Sequence, residues 1–471
     1  MTIKLALPTG DSRASVGEML ERAGIPAPGY EASSRLLRSV NEDEGLTVRI
    51  FREKDIPIQV ALGNYDLGIC GDLALFELQV RFPEQRVVRV GGLPGPRTEV
   101  WLAAAPESGL SNGQVPGGPA IGGARIASEL PNLADMLALH LRIPGYHLLN
   151  VYGSADAYVP EDADLALLAV ASSEDVVAKG MAPLHRLFAG GLALIANADA
   201  LGTKDLGPVL SRLAARLTGA EPELSLPAPG ARVSMTPRPE RRRDVLRLAL
   251  PDGHAQRHTY ANLLDAGLRF EGYEEKSYVR RPQSGISGLE IKVLRPQDMP
   301  QLVAMGMFDV AVTGVDWLTE IKSRFPSAPV EMAVDLGRSR YKIGPVVDRA
   351  FPADDTASAL AIWRGLGRPV RIASEFPALA EAFARSVHLP FTTIIPIAGA
   401  SEGFVPEDAD ILIEGSETGA SIRANNLKML DPFMESTNCV IVRSDPATTQ
   451  TALLADLLER FRKAAATVTT A

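Results

Sequence analysis

The stretch "IEGSETGASIRANNLK", residues 413–428, places two glycines, three hydroxyl side chains and two acids ahead of a helix-like run. The preceding "ADILIE" reads as an apolar strand, and Ile422, Leu427 and Leu430 fall at helical spacing. The segment between is therefore a strand-to-helix turn. Gly415 and Gly419 allow positive φ and close approach of a ligand to the backbone. Successive N–H groups from Ser416 through Ala420, with a helix N-terminus behind them, form an anion cradle. Ser416, Thr418 and Ser421 add hydroxyl donors. A phosphate monoester suits this chemistry. Glu414, at the strand end, can accept hydrogen bonds from sugar hydroxyls, and Glu417 need not face the phosphate. The set predicts a grip for a ribose 5-phosphate. The alternative is an ordinary helix start with Ser416 or Thr418 as N-cap. A Walker-type loop is excluded, because no Lys follows a glycine at the required spacing.

An internal repeat supplies a control. "LALPTG" from Leu5 recurs as "LALPDG" from Leu248, and Asp55 and Asp66 recur as Asp298 and Asp309, 243 residues on (298 − 55). "RIASELP" from Arg125 and "VPEDAD" from Val159 recur from Arg371 and Val405, 246 residues on (371 − 125). Subtracting 246 sets Glu414 on Leu168, Gly415 on Ala169 and Ser416 on Val170. Glu417 falls on Ala171, Thr418 on Ser172 and Gly419 on Ser173, and Glu174 and Asp175 replace Ala420 and Ser421. The first copy thus lacks both glycines and the sugar acid. Its own acids would satisfy the helix start and repel a phosphate. That asymmetry favours a binding loop in the second copy over a mere cap.

Within each copy short apolar strands alternate with helices, as in "IKLALP", "VGEMLERAG", "LTVRIF" and "DIPIQVALGN". The expected fold is α/β, with parallel sheets covered on both faces. The Gly/Pro-rich "GLSNGQVPGGPAIGG" splits the first copy, so two α/β lobes around a cleft are expected in each half. The chain divides into residues 1–220, a Pro/Arg-rich linker at 221–244, and residues 245–471. Arg238, Arg241, Arg242 and Arg243 in the linker have no interleaved aromatics, so a solvated linker is preferred to a nucleic-acid patch. The net charge of −9 also argues against nucleic acid. Two distant cysteines exclude a disulfide framework, and no histidines stand at metal-ligand spacing. No signal peptide and no membrane span are read, so a cytoplasmic protein is expected.

"RIASEFPALAEAF", "GASEGFVPEDADILIEGSETGASIRANNL" and "FMESTNCVIV" together resemble the catalytic domain of ATP phosphoribosyltransferase, the first enzyme of histidine biosynthesis. "FREKDIPIQVALGNYDLGICG" and "SSRLL" in the first half resemble its "R-x-x-DIP…ADLGITG" and "SGRL" segments. The resemblance implies a tandem repeat of a periplasmic-binding-protein type II-like unit with a degenerate first copy. It implies transfer of a phosphoribosyl group from phosphoribosyl pyrophosphate (PRPP) to N1 of ATP, with Mg²⁺ and release of pyrophosphate. Residues 414–421 would hold the ribose and its phosphate. Arginines would clamp the leaving group, and in the family they come from a dimer partner. Arg52 and Arg295 match the arginine ahead of "DIP", Arg35 matches that of "SGRL", and Arg280 is the rough counterpart of Arg35. Thr313 and Gly314 match the turn lining the acceptor side, where Arg280 is also expected. The chain would then be an internal pseudo-dimer, able to self-associate further, whose first half lends Arg35 and Arg52 to the second.

The family's "LPKGR"-like opening reads "LPTGD" and "LPDGH" here, so a Lys and an Arg that would face nucleotide phosphates are missing; His254 substitutes in part. Two other readings stay open: a phosphoribosyltransferase with a different acceptor, and a non-catalytic, ligand-sensing or regulatory paralogue. No regulatory domain is expected after the second half, which ends in one helix.

Overall fold

The computed structural model describes residues 2–41, 45–228, 233, 235–236, 242, 244–445 and 448–469. In the first half the strand Ile3–Pro8 lies parallel between Leu46–Phe51 and Leu67–Gly71. These apolar runs are buried, as strands covered on both faces must be. Two long strands, Val87–Ala104 and Ala182–Asn197, then pair antiparallel and run out of this lobe into a second one. The second lobe is completed by Arg125–Ser128, His147–Asn150 and Leu165–Val170. One ten-stranded sheet therefore passes through both lobes.

The second half repeats the plan but cuts it in two. A third lobe carries a five-stranded sheet around Leu246–Pro251, and a fourth carries a six-stranded sheet around Ile411–Ser416. The break falls where Gly337 (φ 72°) and Ser339 (φ 55°) turn the chain between the strands Val330–Asp335 and Tyr341–Asp348. The two lobes thus carry separate sheets in the second half and share one in the first, whose long strands lose register between Leu93 and Thr98.

The repeat extends to individual bonds. The Tyr30 hydroxyl donates to Pro8 O at 2.6 Å, and that of Tyr273 donates to Pro251 O at 2.7 Å. Glu77 accepts from the N–H groups of Asn132 and Leu133 at the start of the second lobe's helix Pro131–His140. Glu320 does the same for Ala378 and Leu379 on Pro377–Ser386. In each half a lobe-bridging carboxylate satisfies orphan amides of a helix start.

The halves pack crosswise. Ala6, Phe51, Ile56 and Ile195 of the first lobe share a core with Val346, Phe404, Leu412 and Ile422 of the fourth. Tyr158, Ala166 and Leu168 of the second lobe share one with Ala249, Met299, Val303 and Phe308 of the third. Buried charges cross the second of these interfaces. Arg247 grips Asp162 with two 2.8 Å bonds and stacks on Phe308 at 4.4 Å, while Lys292 reaches Asp162 and Glu161 at 2.9 Å. At the equivalent place in the other interface the Tyr65 hydroxyl donates to Asp408 at 2.7 Å and Arg49 pairs with Glu407. A phenol there takes the place of the guanidinium.

Part of the linker is paired through its backbone, while the side chains of Leu224 and Leu226 stay exposed. Glu223–Leu224 adds a strand to Ala182–Asn197, Ser225 N–H donates to Leu187 O at 2.9 Å, and His140 bonds Pro227 O at 2.7 Å. Arg238, Arg241 and Arg243 lie outside the described residues. The final helix, Thr451–Thr469, buries Leu457, Phe461 and Ala464 against the third lobe. Among the described residues no helix is long and apolar enough to cross a membrane.

Two equivalent carboxyls are buried at the junction of the halves. Burial raises Asp55 to about 7, against the Ala398 N–H that it accepts at 3.0 Å. Burial raises Asp298 to about 7, against the Tyr152 N–H and Tyr158 hydroxyl that it accepts. The folded state keeps protons there that the unfolded chain loses near pH 4. Stability therefore falls as pH rises from about 4 to about 7, by at most about 1.4 kcal/mol per pH unit for each carboxyl. Asp162 has the opposite sign: despite desolvation, Lys292 and Arg247 hold it at about 2, and its contribution is lost as pH falls through that value. Urea unfolding across pH 4–8 should show a shallower decline for the Asp55→Asn/Asp298→Asn double variant than for the parent chain. Parallel curves would refute the assignment.

Candidate functional site

The strand Ile411–Ser416 lies inside the six-stranded sheet, parallel to Val370–Ser374 and antiparallel to Tyr341–Asp348. Its end carries Glu414, and the turn follows at once. The helix after it is one turn long, Ala420–Ala424, because Asn426 adopts φ 58° and Leu427–Met429 leaves as a strand paired with Tyr341–Asp348. The longer helix that Leu427 and Leu430 predict does not form. Gly419 (φ 70°) is the N-cap, not Ser416 or Thr418. The Ser416 and Thr418 hydroxyls instead accept from Gly419 N–H at 2.9 Å and Ala420 N–H at 3.3 Å, and Arg423 folds back to Thr418 O at 2.9 Å. A side chain at Gly415 would run into the Tyr341 ring, so the turn's first glycine is needed for close packing.

Glu414 accepts from the Ser401 hydroxyl and from Gly415 N–H at 2.9 Å. Burial, with Glu375 and Glu402 nearby, pushes its carboxyl up to about 8 despite the Ser401 bond. Glu417 lies within electrostatic reach of His258, on the third-lobe helix His254–Asp265. The turn therefore sits on the gap between the third and fourth lobes.

Two first-half segments meet this place. Asn425, just past the turn, accepts from Leu37 N–H at 2.8 Å and donates to Arg35 O at 3.2 Å. Arg52 lies against Gly399 and favours the ionised form of Glu375. The Arg35 segment thus meets the residue that follows the turn, and Arg52 lies against Gly399 and Glu375, the latter within electrostatic reach of Glu414.

The third-lobe wall of the gap holds a cavity of about 230 Å³. Thr313, Gly314, His254, Arg295 and Asp252 line it, and Tyr341 joins it to the turn. Thr313 is buried and donates to Pro296 O at 2.8 Å, a structural bond. Asp252 takes Arg280 at 2.7 Å and Arg295 at 3.2 Å, so both arginines are held by one acid. Arg295 also lies against Gly153 of the first half, the mirror of Arg52 at Gly399. Sequence reasoning missed Asp252, Asn425, Ser401, Glu375 and the buried Asp316, which accepts from Tyr341 at 2.5 Å and Ser436 at 2.9 Å. Asn425 and Glu375 fall inside the quoted motifs. Nothing local marks Asp316.

The equivalent first-half turn closes on itself. Ser172 and Asp175 form a reciprocal capping box over the helix Ser173–Ala178, and Asp175 also accepts from Ala171 N–H. The pairing of Arg280 with Arg35 is corrected. Ile50 N–H bonds Leu37 O at 3.0 Å and Val293 N–H bonds Arg280 O at 2.9 Å, which sets Leu37 opposite Arg280. Arg35 then falls opposite Tyr278, which is 93% exposed. The rough counterpart given to Arg35 thus lies two positions past its structural equivalent.

Among the described residues no three His, Cys, Asp or Glu side chains are grouped to hold a metal ion. Cys70 and Cys439 are buried, and burial raises both thiols.

The family model described as "HisG: ATP phosphoribosyltransferase" matches residues 52–219 and again 295–463, so the chain is a tandem duplication. The ATP phosphoribosyltransferase of Chlorobium phaeobacteroides is 32% identical over 202 residues, 42% of this chain and 63% of that protein. That of Deinococcus radiodurans is 29% identical over 226 residues, 48% of this chain and 93% of that protein. The matches thus span under two thirds of the Chlorobium relative's length. Among solved structures, the ATP phosphoribosyl transferase (HisG:HisZ) complex from Thermotoga maritima is 20% identical, with TM-score 0.38, covering 47% of this chain and 100% of that one. The substrate binding protein of an amino acid ABC transporter is 13% identical, with TM-score 0.30, covering 48% and 93%.

Replacing Asn425 by Ala leaves the buried Leu37 N–H without its acceptor and frees the Arg35 segment. A loss of about 1–3 kcal/mol in urea unfolding is expected. A variant as stable as the parent would show that this contact does not anchor the segment.

Proposed function

Since this chain belongs to the ATP phosphoribosyltransferase family, we propose that its second half transfers the phosphoribosyl group of PRPP to N1 of ATP and releases pyrophosphate. What supports the reading is that the first half sends two segments toward the turn's surroundings: Arg52 lies against Gly399 beside Glu375, and the Arg35 backbone bonds Asn425, just past the turn. The turn takes the 5-phosphate on backbone N–H groups and on the hydroxyls of Ser416, Thr418 and Ser421. To do so it exchanges its internal bonds to Gly419 and Ala420 for bonds to the phosphate. Ionised Glu414 accepts from the ribose hydroxyls.

The bond from C1 of the ribose to the pyrophosphate oxygen breaks as the bond from C1 to N1 of the purine forms. Positive charge develops on the ribose ring and negative charge on the departing oxygens. No protein nucleophile is needed; the residues position the reactants and stabilise the leaving group. Guanidinium forks match phosphate oxygens, which gives Arg52 and Arg35 their role. Thr313, Gly314 and the neighbouring cavity, with Arg280 and Arg295, receive the acceptor. Mg²⁺ suits the site as an ion held mainly by substrate oxygens, with Glu375, Glu402 or Glu414 as the protein's carboxylates. When bound it neutralises charge on the pyrophosphate.

A second reading keeps the donor and changes the acceptor. Asp252 favours it, because this buried acid engages the two arginines that would otherwise meet nucleotide phosphates.

Incubation with PRPP, Mg²⁺ and ATP should release pyrophosphate and give a new purine absorbance. Product only with other bases would support the second reading, and binding without turnover would defeat both. Arg52→Ala should lower kcat/KM by about tenfold to a thousandfold, in the range of other lost charge stabilisers, with an unchanged melting temperature. Unchanged kinetics would defeat the pseudo-dimer reading. Because the ionised Glu414 carboxylate is the stronger acceptor, PRPP affinity should rise from pH 7 to 9. A Glu414→Gln variant with the same pH profile would remove it from that role.

A further inference from the structure

Beside the turn, on the fourth lobe, lies a cavity of about 490 Å³ whose walls carry Lys342, Arg349, Arg423 and Lys428. Its one acid is Asp354, 94% exposed, which meets Lys428 at 2.6 Å. Arg423 bonds Thr418 O, and Lys342, Arg349 and Arg423 have no acidic partner among the described residues. Cations gathered around one space repel one another unless an anion joins them. In a chain of net charge −9, this cavity has a surplus of three positive charges. Its floor includes Ile422, Leu427 and Met429, so the charges stand over a low-dielectric surface, which strengthens their field.

The cations come from separate elements: Lys342 from Tyr341–Asp348, Arg349 just beyond it, Arg423 from the short helix and Lys428 from Leu427–Met429. Their convergence is a product of the fold and not of a charge run. Ser416 and Gly419 form the wall shared with the turn. The cavity of about 230 Å³ in the gap between the lobes, lined by third-lobe residues and Tyr341, is a different space that shares no lining residue with this one.

We propose that this basic cavity is a second anion site that takes an oligophosphate, the class to which pyrophosphate belongs. Two or more linked phosphates can reach cations on both walls, where a single phosphate reaches one. An occupant also competes for Arg423, which in the structure braces Thr418 O. Occupancy therefore loosens the turn and weakens donor binding. That coupling rests on the function proposed above; the binding itself does not.

The test is titration calorimetry of the full chain with inorganic pyrophosphate, orthophosphate and ATP, for the parent, Lys342→Ala/Arg349→Ala and Arg52→Ala, each checked by circular dichroism and melting temperature. Pyrophosphate should bind the parent at two sites: the leaving-group site, which the Arg52 variant weakens, and the second site, which that variant leaves unchanged and the double variant weakens at least about tenfold, as charge-assisted contacts imply. Orthophosphate should bind more weakly than pyrophosphate. ATP binding with the same sensitivity to the double variant would support the class and identify a nucleotide as an alternative source. PRPP affinity of the double variant should stay within about threefold of the parent, and pyrophosphate should weaken it less than in the parent. No uptake of pyrophosphate, equal affinity in parent and double variant, or a tenfold loss of PRPP affinity in the double variant would overturn the second site. The last result would assign the cations to the donor itself. A chain that binds pyrophosphate this way but turns over no substrate would refute the transferase reading alone.

Discussion

Phe51 is held in a core to which both halves contribute, and the position of Arg52 follows from it. The ring meets Phe404 of the fourth lobe at 4.7 Å and Tyr65 of the first at 5.2 Å, both edge-on. Burying such a side chain is worth about 1.5–3 kcal/mol, and each aromatic pair adds about 0.5–1.5 kcal/mol. A surface arginine has no comparable means of fixing its own backbone. The next residue in the chain therefore leaves the core at a defined point, against Gly399 and Glu375. The same logic applies to Arg35, whose backbone is held through Asn425. The proposed site takes residues from both sides of this interface.

The two copies join their lobes at matching places. In the first half the pairing of Val87–Ala104 with Ala182–Asn197 lapses between Leu93 and Thr98, and one sheet continues on either side. In the second half the chain turns between Asp335 and Tyr341, the lobes keep separate sheets, and local contacts such as Tyr341 to Asp316 join them.

Much of the fold was legible because it depends on local signals. The repeat, the buried apolar strands, the Gly-rich turn and the two-lobed halves all follow from periodicity and spacing. What was not legible depends on partners far apart in sequence. The linker residues from Glu223 look solvated by composition, yet their backbone finds an open sheet edge. The turn's helix was read too long because Leu427 and Leu430 sit at helical spacing, while the chain has already turned at Asn426. Arg280 was matched to Arg35 by motif, and only the backbone register corrected it. Asp252 looked like a missing lysine. Its positive role, holding Arg280 and Arg295 together, needed coordinates.

Symmetry gives the duplication its physical meaning. A two-fold dimer of identical chains presents the same patch on both sides, so every residue given to one cleft is given to the other. Joining the copies lifts that requirement, and the tether keeps the partners at high effective concentration while their surfaces diverge. The divergence is visible position by position. Arg247, Phe308 and Asp162 hold one interface where Lys4, Tyr65 and Asp408 hold the other. The backbone at Arg35 is held beside the turn that can cradle an anion, while the equivalent Tyr278 is exposed and the first copy's turn caps itself through Ser172 and Asp175. Only a chain that carries both copies can keep a cradle in one and close it in the other.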